Sequence, residues 1–194
     1  MARTKENLSF LDDVDNTKLN SLIENTNKNV EMFDKTCIEV VKKYSESLDN
    51  LMLDLYEECI KPQDVLTPIL EKYFIELANL LYFMGEKLEK LGVYADMSKS
   101  AAKEVYSKNY LNNQVKENIT GKNKTTVAEL SAQAELAAQY DFVVNNIYDR
   151  AYSIMKYKIS AAQDMLSALK KILSGRQAEI NYTIYNKNIK IEEE

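Results

Sequence analysis

The chain of 194 residues contains no histidine and no tryptophan, and only four glycines, two prolines and two cysteines. Each shortage excludes something. Without histidine, the commonest general base near neutral pH and the commonest metal ligand are missing, so any catalysis would rest on Asp, Glu, Lys, Tyr or Cys. An enzyme is therefore not expected, and neither is a metal or other cofactor. So few glycines and prolines argue against a turn-rich β protein and fit long helices with few interruptions. Cys37 and Cys59 fall on one expected helix, 22 residues apart. At 1.5 Å per residue that is about 33 Å, so they cannot bridge within it and read as reduced core thiols. No window approaches the ~18 apolar residues of a membrane span. Met1-Ala2-Arg3-Thr4-Lys5 leads into a polar, acidic stretch, so neither a signal peptide nor a membrane partner is expected and the location reads as cytoplasmic.

What the chain does have is apolar spacing. Tyr140, Val144, Ile147, Ala151, Ile154, Lys158, Ala161, Met165, Ala168 and Ile172 step 4-3-4-3 through a segment free of Pro and Gly. An average of 3.5 residues keeps such a row on one side of a long helix, where other helices must cover it. A second row, Tyr148, Tyr152, Met155, Ile159, Ala162, Leu166, Leu169 and Leu173, runs beside it. Two rows are too wide for one partner helix, so part of the cover is expected from a second subunit. Tyr148, Met155, Lys158, Leu166 and Leu169 are the candidate oligomer contacts. Lys158 is the polar position in the first row; a low-pKa catalytic amine is one reading, and a snorkelling or register-setting lysine is the favoured one.

The spacing predicts an all-α fold, a long antiparallel helical hairpin with an additional N-terminal helix and coiled-coil-like packing. Leu19, Ile23, Val30, Phe33, Cys37, Val41, Tyr44, Leu48, Leu51 and Leu55 mark a first helix, with a possible break in the Asn-rich stretch 25–29. Lys61-Pro62 ends it, which makes 1–62 a helical N-terminal extension. Thr67 and Pro68 open the hairpin of residues 63–178 as cap and first helical residue. Leu70, Phe74, Leu77, Leu81, Met84, Leu88 and Leu91 then step 4-3-4-3, continuing through Ala95, Ser98, Ala102 and Val105. The non-periodic stretch 118–126 reads as the turn. Thr126 and Glu129 have capping-box spacing at the start of a helix over Val127–Leu173. The acidic tail, 179–194, reads as disordered or a short strand, with disorder preferred.

Charge is uneven. Residues 1–97 hold 11 Lys/Arg against 19 Asp/Glu, and residues 98–190 hold 14 against 8. The basic half either faces a polyanion or attracts the acidic half. Gly121-Lys-Asn-Lys-Thr-Thr lacks the upstream Gly of a phosphate-binding loop and no buried strand precedes it, so nucleotide hydrolysis is set aside. A basic feature remains. Lys99, Lys103, Lys108 and Lys116 lead towards Lys122 and Lys124 in the turn, with Tyr106 and Tyr110 interleaved at helical spacing. Cations beside rings in this pattern suit phosphates and unpaired bases. A solvated helix end whose tyrosines pack on the neighbouring helix has the same composition.

The order of these features resembles the UvsY-like recombination mediators of tailed phages. The stretches that carry the resemblance are Lys103 to Lys124 and Ile147 to Arg176, within about residues 66–178. It implies a non-enzymatic protein of the host-cell cytoplasm that binds single-stranded DNA, forms a homo-oligomer and assists a RecA-type recombinase against a single-strand-binding protein. By that resemblance Lys103, Lys108, Lys116, Lys122 and Lys124 are phosphate contacts, and Tyr106 and Tyr110 stack on bases. Residues 1–62 and the tail depart from the family. The alternative is a helical structural or interaction protein, such as a virion component, scaffold or inhibitor of a host protein, that does not bind DNA.

Overall fold

A computed structural model of the chain describes residues 16–59, 64–120 and 126–192, and the side chains of 20–21, 23–59, 64–115 and 126–185. The described residues form four helices: α1 (Asn16–Cys59), α2 (Thr67–Thr120), α3 (Val127–Ala137) and α4 (Gln139–Glu192). The fold is all-α, as the helical spacing predicts.

α2 and α4 lie antiparallel. Thr67 meets Arg176 at one end, Gly92 meets Tyr152 in the middle and Ser98 meets Asn145 further along. The expected row on α2 is its contact face: Leu70, Leu77, Met84, Leu91, Ala95 and Ala102 are buried, and Phe74, Leu81, Leu88, Ser98 and Val105 half-buried. Strict heptad spacing explains why one face serves over this length. Gly92 permits a close approach, because a Cβ there would sit 3.3 Å from the Tyr152 ring.

α1 runs parallel to α4. Cys37 Sγ reaches the Ile147 carbonyl, and Asp49 reaches Lys158. Cys37, Val41, Ser45, Leu48 and Leu55 are buried, so the second half of α1 completes a three-helix core with Leu70–Leu91 of α2 and Ala151–Leu169 of α4. Each fully enclosed leucine contributes about 1.5–3 kcal/mol of burial. The first part of α1 departs from this core: of the described side chains before Cys37, only Phe33 and Thr36 are half-buried and the rest are exposed. Beyond the three-helix core, α2 pairs with α3 and the start of α4 through Ala95, Ala102, Leu130, Ala134 and Ala138.

Several expectations change. Much of the α4 face that was expected to need a second subunit is covered inside the chain, while Tyr140, Val144 and Ala168 of its first row stay exposed. Met155 and Leu169 are fully enclosed, Leu166 packs against the core, Tyr148 stacks on Tyr94 at 5.6 Å and Lys158 pairs with α1. Within the chain α1 and α2 together cover these positions, Met155 and Leu169 fully and Tyr148, Lys158 and Leu166 in part. The seam also draws from both expected rows: Tyr148, Ala151, Met155, Lys158, Ala162, Met165, Leu169, Ile172 and Arg176 are all buried or half-buried, whereas Tyr140 is 84% exposed. α1 is unbroken through 25–29. Ile180–Tyr185, expected as disorder or a strand, is helical and belongs to α4.

The capping box forms as expected. Glu129 N–H donates to Thr126 Oγ1 at 3.3 Å and Thr126 N–H donates to Glu129 Oε2 at 2.8 Å. The expected last helix is interrupted only at Ala138, whose φ of −94° and ψ of 4° separate α3 from α4. Helical bonding persists across it, from Ala138 N–H to Ala134 O and from Phe142 N–H to Ala138 O, both at 3.0 Å. At the other end of the hairpin, α2 opens with Leu66 O accepting from Ile69 and Leu70. The Thr67 hydroxyl is engaged by Arg176.

Candidate nucleic-acid interface

The basic segment lies on the part of α2 that packs against α3 and the start of α4. Lys103 is exposed, one helical turn before Tyr106. Tyr106 and Tyr110 are half-buried and nearly parallel, with ring centroids 6.4 Å apart and 19° between planes. That geometry follows from their i, i+4 spacing, which stacks side chains along one helix flank. Lys108 is exposed and pairs with Glu104 one turn back, and the hydrogen bond and charge of Lys108 hold the Glu104 carboxyl below the usual carboxylate range. Its charge is thus partly neutralised locally. Lys116, Lys122 and Lys124 lie outside the described side chains.

An open groove of about 700 Å³ runs between α2 and the α3–α4 junction. Lys103 and Tyr106 form its α2 wall, and Glu135, Gln139, Phe142 and Asn146 line the other. On the turn side Asn113 Nδ2 donates to Gln133 Oε1 at 3.1 Å; on the far side Ser98, whose hydroxyl donates to Ala95 O, lies 3.5 Å from Asn145 Oδ1. The structure therefore brings Lys103 and Tyr106 into one site and leaves Lys108 on an ion pair beside it. Glu135, Gln139, Phe142 and Asn146 were missed from sequence. Their 4-3-4 spacing was the available signal, but it becomes a site only when the hairpin register sets it opposite residues 103–106.

No protein-family model, curated protein or solved structure matches this chain. What the interface can do is set by its own chemistry. It offers ring faces, a cation, a carboxylate, a hydroxyl and two amides. Among the described residues there is no group of Cys, Asp and Glu placed to hold a metal ion, and no helix long and apolar enough to cross a membrane.

A second, smaller cavity of about 270 Å³ lies between α1 and α4, lined by Ile38, Val41, Glu46, Asn50 and Ile154 beside the Asp49–Lys158 pair. Cys37, nearby in the α1–α4 contact, is buried and has its thiol pKa raised, first by burial and then by Asp34. A thiol held neutral is a poor nucleophile.

Proposed function

We propose that this chain is a non-enzymatic protein that binds single-stranded DNA at the turn end of its α2–α4 hairpin and acts as a recombination or replication mediator, self-assembling and assisting a RecA-type recombinase against a single-strand-binding protein. The observation that carries this reading is the α2 surface on which Lys103 flanks the parallel Tyr106 and Tyr110 rings. Aromatic faces accept any base, and lysines neutralise the strand. A single chain carries a net charge of −5, so affinity for a polyanion is expected to come from the basic ends of several copies acting together. Assembly then falls on apolar surface that the chain does not use itself, such as Ile180, Tyr182, Ile184 and Tyr185 on α4 beyond Arg176.

The test is a titration of a fluorescent single-stranded oligonucleotide at about 50 and 200 mM salt, with a solution mass on the same sample. Affinity that falls steeply with salt supports the reading. Absence of salt-sensitive binding near neutral pH ends it.

A second reading has its own observation. Tyr82 and Phe83, adjacent on α2, meet edge to face at 5.3 Å, yet are 76% and 56% exposed. Exposed aromatic pairs of this kind suit protein contacts, which fits a helical structural or interaction protein that does not bind DNA. The oligonucleotide titration separates the two readings.

A further inference from the structure

The geometry points to the groove between α2 and the α3–α4 junction as a pocket for one unpaired nucleobase, with the sugar–phosphate track along Lys103 and the base edge turned towards Glu135, Gln139 and Asn146. This rests on the single-stranded-DNA reading and deepens it, because it assigns the base-binding role to residues on the opposite helix from the basic segment.

The first support is the way the groove is built. At this level the helices meet through Ala102, Ala134 and Ala138, all essentially buried. Methyl groups bring the backbones close and put nothing bulky between the flanking side chains. Tyr106 from α2 and Phe142 from α4 therefore remain at the edge of the interface, the first half-buried and the second 36% exposed. Both rings line one open space. A space of about 700 Å³ lies within the range that small-molecule sites occupy. The Asn113–Gln133 hydrogen bond ties both walls to one register on the turn side.

The second support is polarity. The wall on α2 carries Lys103, and the opposite wall carries Glu135, Gln139 and Asn146. A phosphate is attracted to the first wall and repelled by the carboxylate on the second, which favours a strand whose backbone lies on the α2 side. Its base then presents its edge to one acceptor-only group and two amides. A carboxylate accepts from an exocyclic amino group, which cytosine carries and thymine lacks. The pocket is accordingly expected to favour cytosine over thymine, on top of stacking that is indifferent to the base.

The experiment compares oligo-dC, oligo-dT and an abasic strand of equal length and charge, bound to the full chain at low salt. The wild-type chain should bind oligo-dC about tenfold more tightly than the abasic strand, the range expected for base–aromatic stacking. Phe142→Ala should remove most of that difference while retaining the salt-sensitive binding both strands share. Glu135→Gln, at an exposed position, should reduce the dC-over-dT preference with the fold undisturbed, which keeps the test sound if Phe142→Ala is poorly folded. Equal wild-type affinity for dC and abasic strands, or a difference that survives in a folded Phe142→Ala protein, overturns the pocket while leaving DNA binding in place. No salt-sensitive binding to any strand overturns the pocket and the DNA reading together.

Discussion

Lys158 Nζ lies 2.6 Å from both carboxylate oxygens of Asp49, joining α4 to α1 across the bundle. Ser45 closes the arrangement: its hydroxyl accepts from Lys158 at 3.1 Å and donates to Asp49 Oδ2 at 2.7 Å. The lysine that interrupts an otherwise apolar row is therefore the register position of the α1–α4 contact. Apolar side chains tolerate a one-turn slide; this triad does not, because a slide carries Lys158 away from Asp49 and from the wholly buried Ser45, whose bond to Asp49 lies within α1. The charged pair itself keeps water at hand, with side chains 31% and 42% exposed, so its desolvation penalty is well below that of a fully buried pair.

Removing one partner should accordingly have a moderate effect. Lys158→Ala is expected to lower stability by about 1 kcal/mol, less than a fully desolvated charged hydrogen bond contributes. Lys158→Met combined with Asp49→Leu should recover most of the loss, since it replaces the pair with apolar packing, but at the expense of a unique register. Urea unfolding free energies of the wild type, Lys158→Met, Asp49→Leu and the double variant give the coupling energy. A coupling near zero would show that the pair contributes nothing beyond packing.

The two glycines inside α2 should respond in opposite ways to alanine. Gly85 has nothing within 4 Å of a Cβ, so Gly85→Ala should raise stability by about 1 kcal/mol through helix propensity alone. At Gly92 the new methyl would stand 3.3 Å from Tyr152 Cε2, and the ring would have to shift. Gly92→Ala is expected to gain little or to destabilise. Thermal midpoints of the two variants, measured side by side, decide it; an equal rise in both would show that the Tyr152 ring moves freely.

These positions also mark what the sequence made legible. Period-3.5 spacing located the α2 face from Leu70 to Val105, because heptad repetition is a local property. Thr126 and Glu129 were readable for the same reason, three residues apart. The covering of α4 by α1 was not readable: Met155 and Leu169 look identical whether a neighbour in the same chain or in another copy buries them. At the candidate site, Lys103, Tyr106 and Tyr110 stood out by composition. Glu135, Gln139, Phe142 and Asn146 join the site only through the α2–α4 register, which a contact such as Asn113–Gln133 reports.

Alkaline pH should loosen the bundle. Burial raises the pKa of Cys37, Cys59, Tyr44 and Tyr73. In the folded state these groups stay neutral at pH values where the unfolded chain has begun to ionise them, so unfolding releases protons. Stability is then fully present below the unfolded thiol value of about 8.5 and falls as pH climbs past it and past the tyrosine value of about 10. Urea midpoints at pH 7, 9 and 10 should decline in that order, and replacing Cys37 with Ala should flatten the first part of the decline. A midpoint independent of pH over this window would contradict the assigned burial.

Arg176 sets where the bundle ends. Its Nη1 donates to the Val65 carbonyl at 2.7 Å and to Thr67 Oγ1 at 3.0 Å, holding the entrance of α2 against α4. The planar guanidinium reaches both acceptors from one seam position, which a lysine ammonium on a flexible stem reproduces poorly. Arg176→Lys is expected to cost about 1 kcal/mol, and Arg176→Ala more, because the Val65 carbonyl loses its partner. Past this residue Ile180, Tyr182, Ile184 and Tyr185 are all exposed. A helix of that length without a packed face has little stability of its own. Amide exchange in the free chain should therefore be slow through 148–172 and fast beyond 177, with the boundary moving towards Leu169 in Arg176→Ala. Slow exchange through 177–185 in a sample shown by mass to be monomeric would contradict this division. Slow exchange only in an assembled sample would identify this part of α4 as surface covered by assembly.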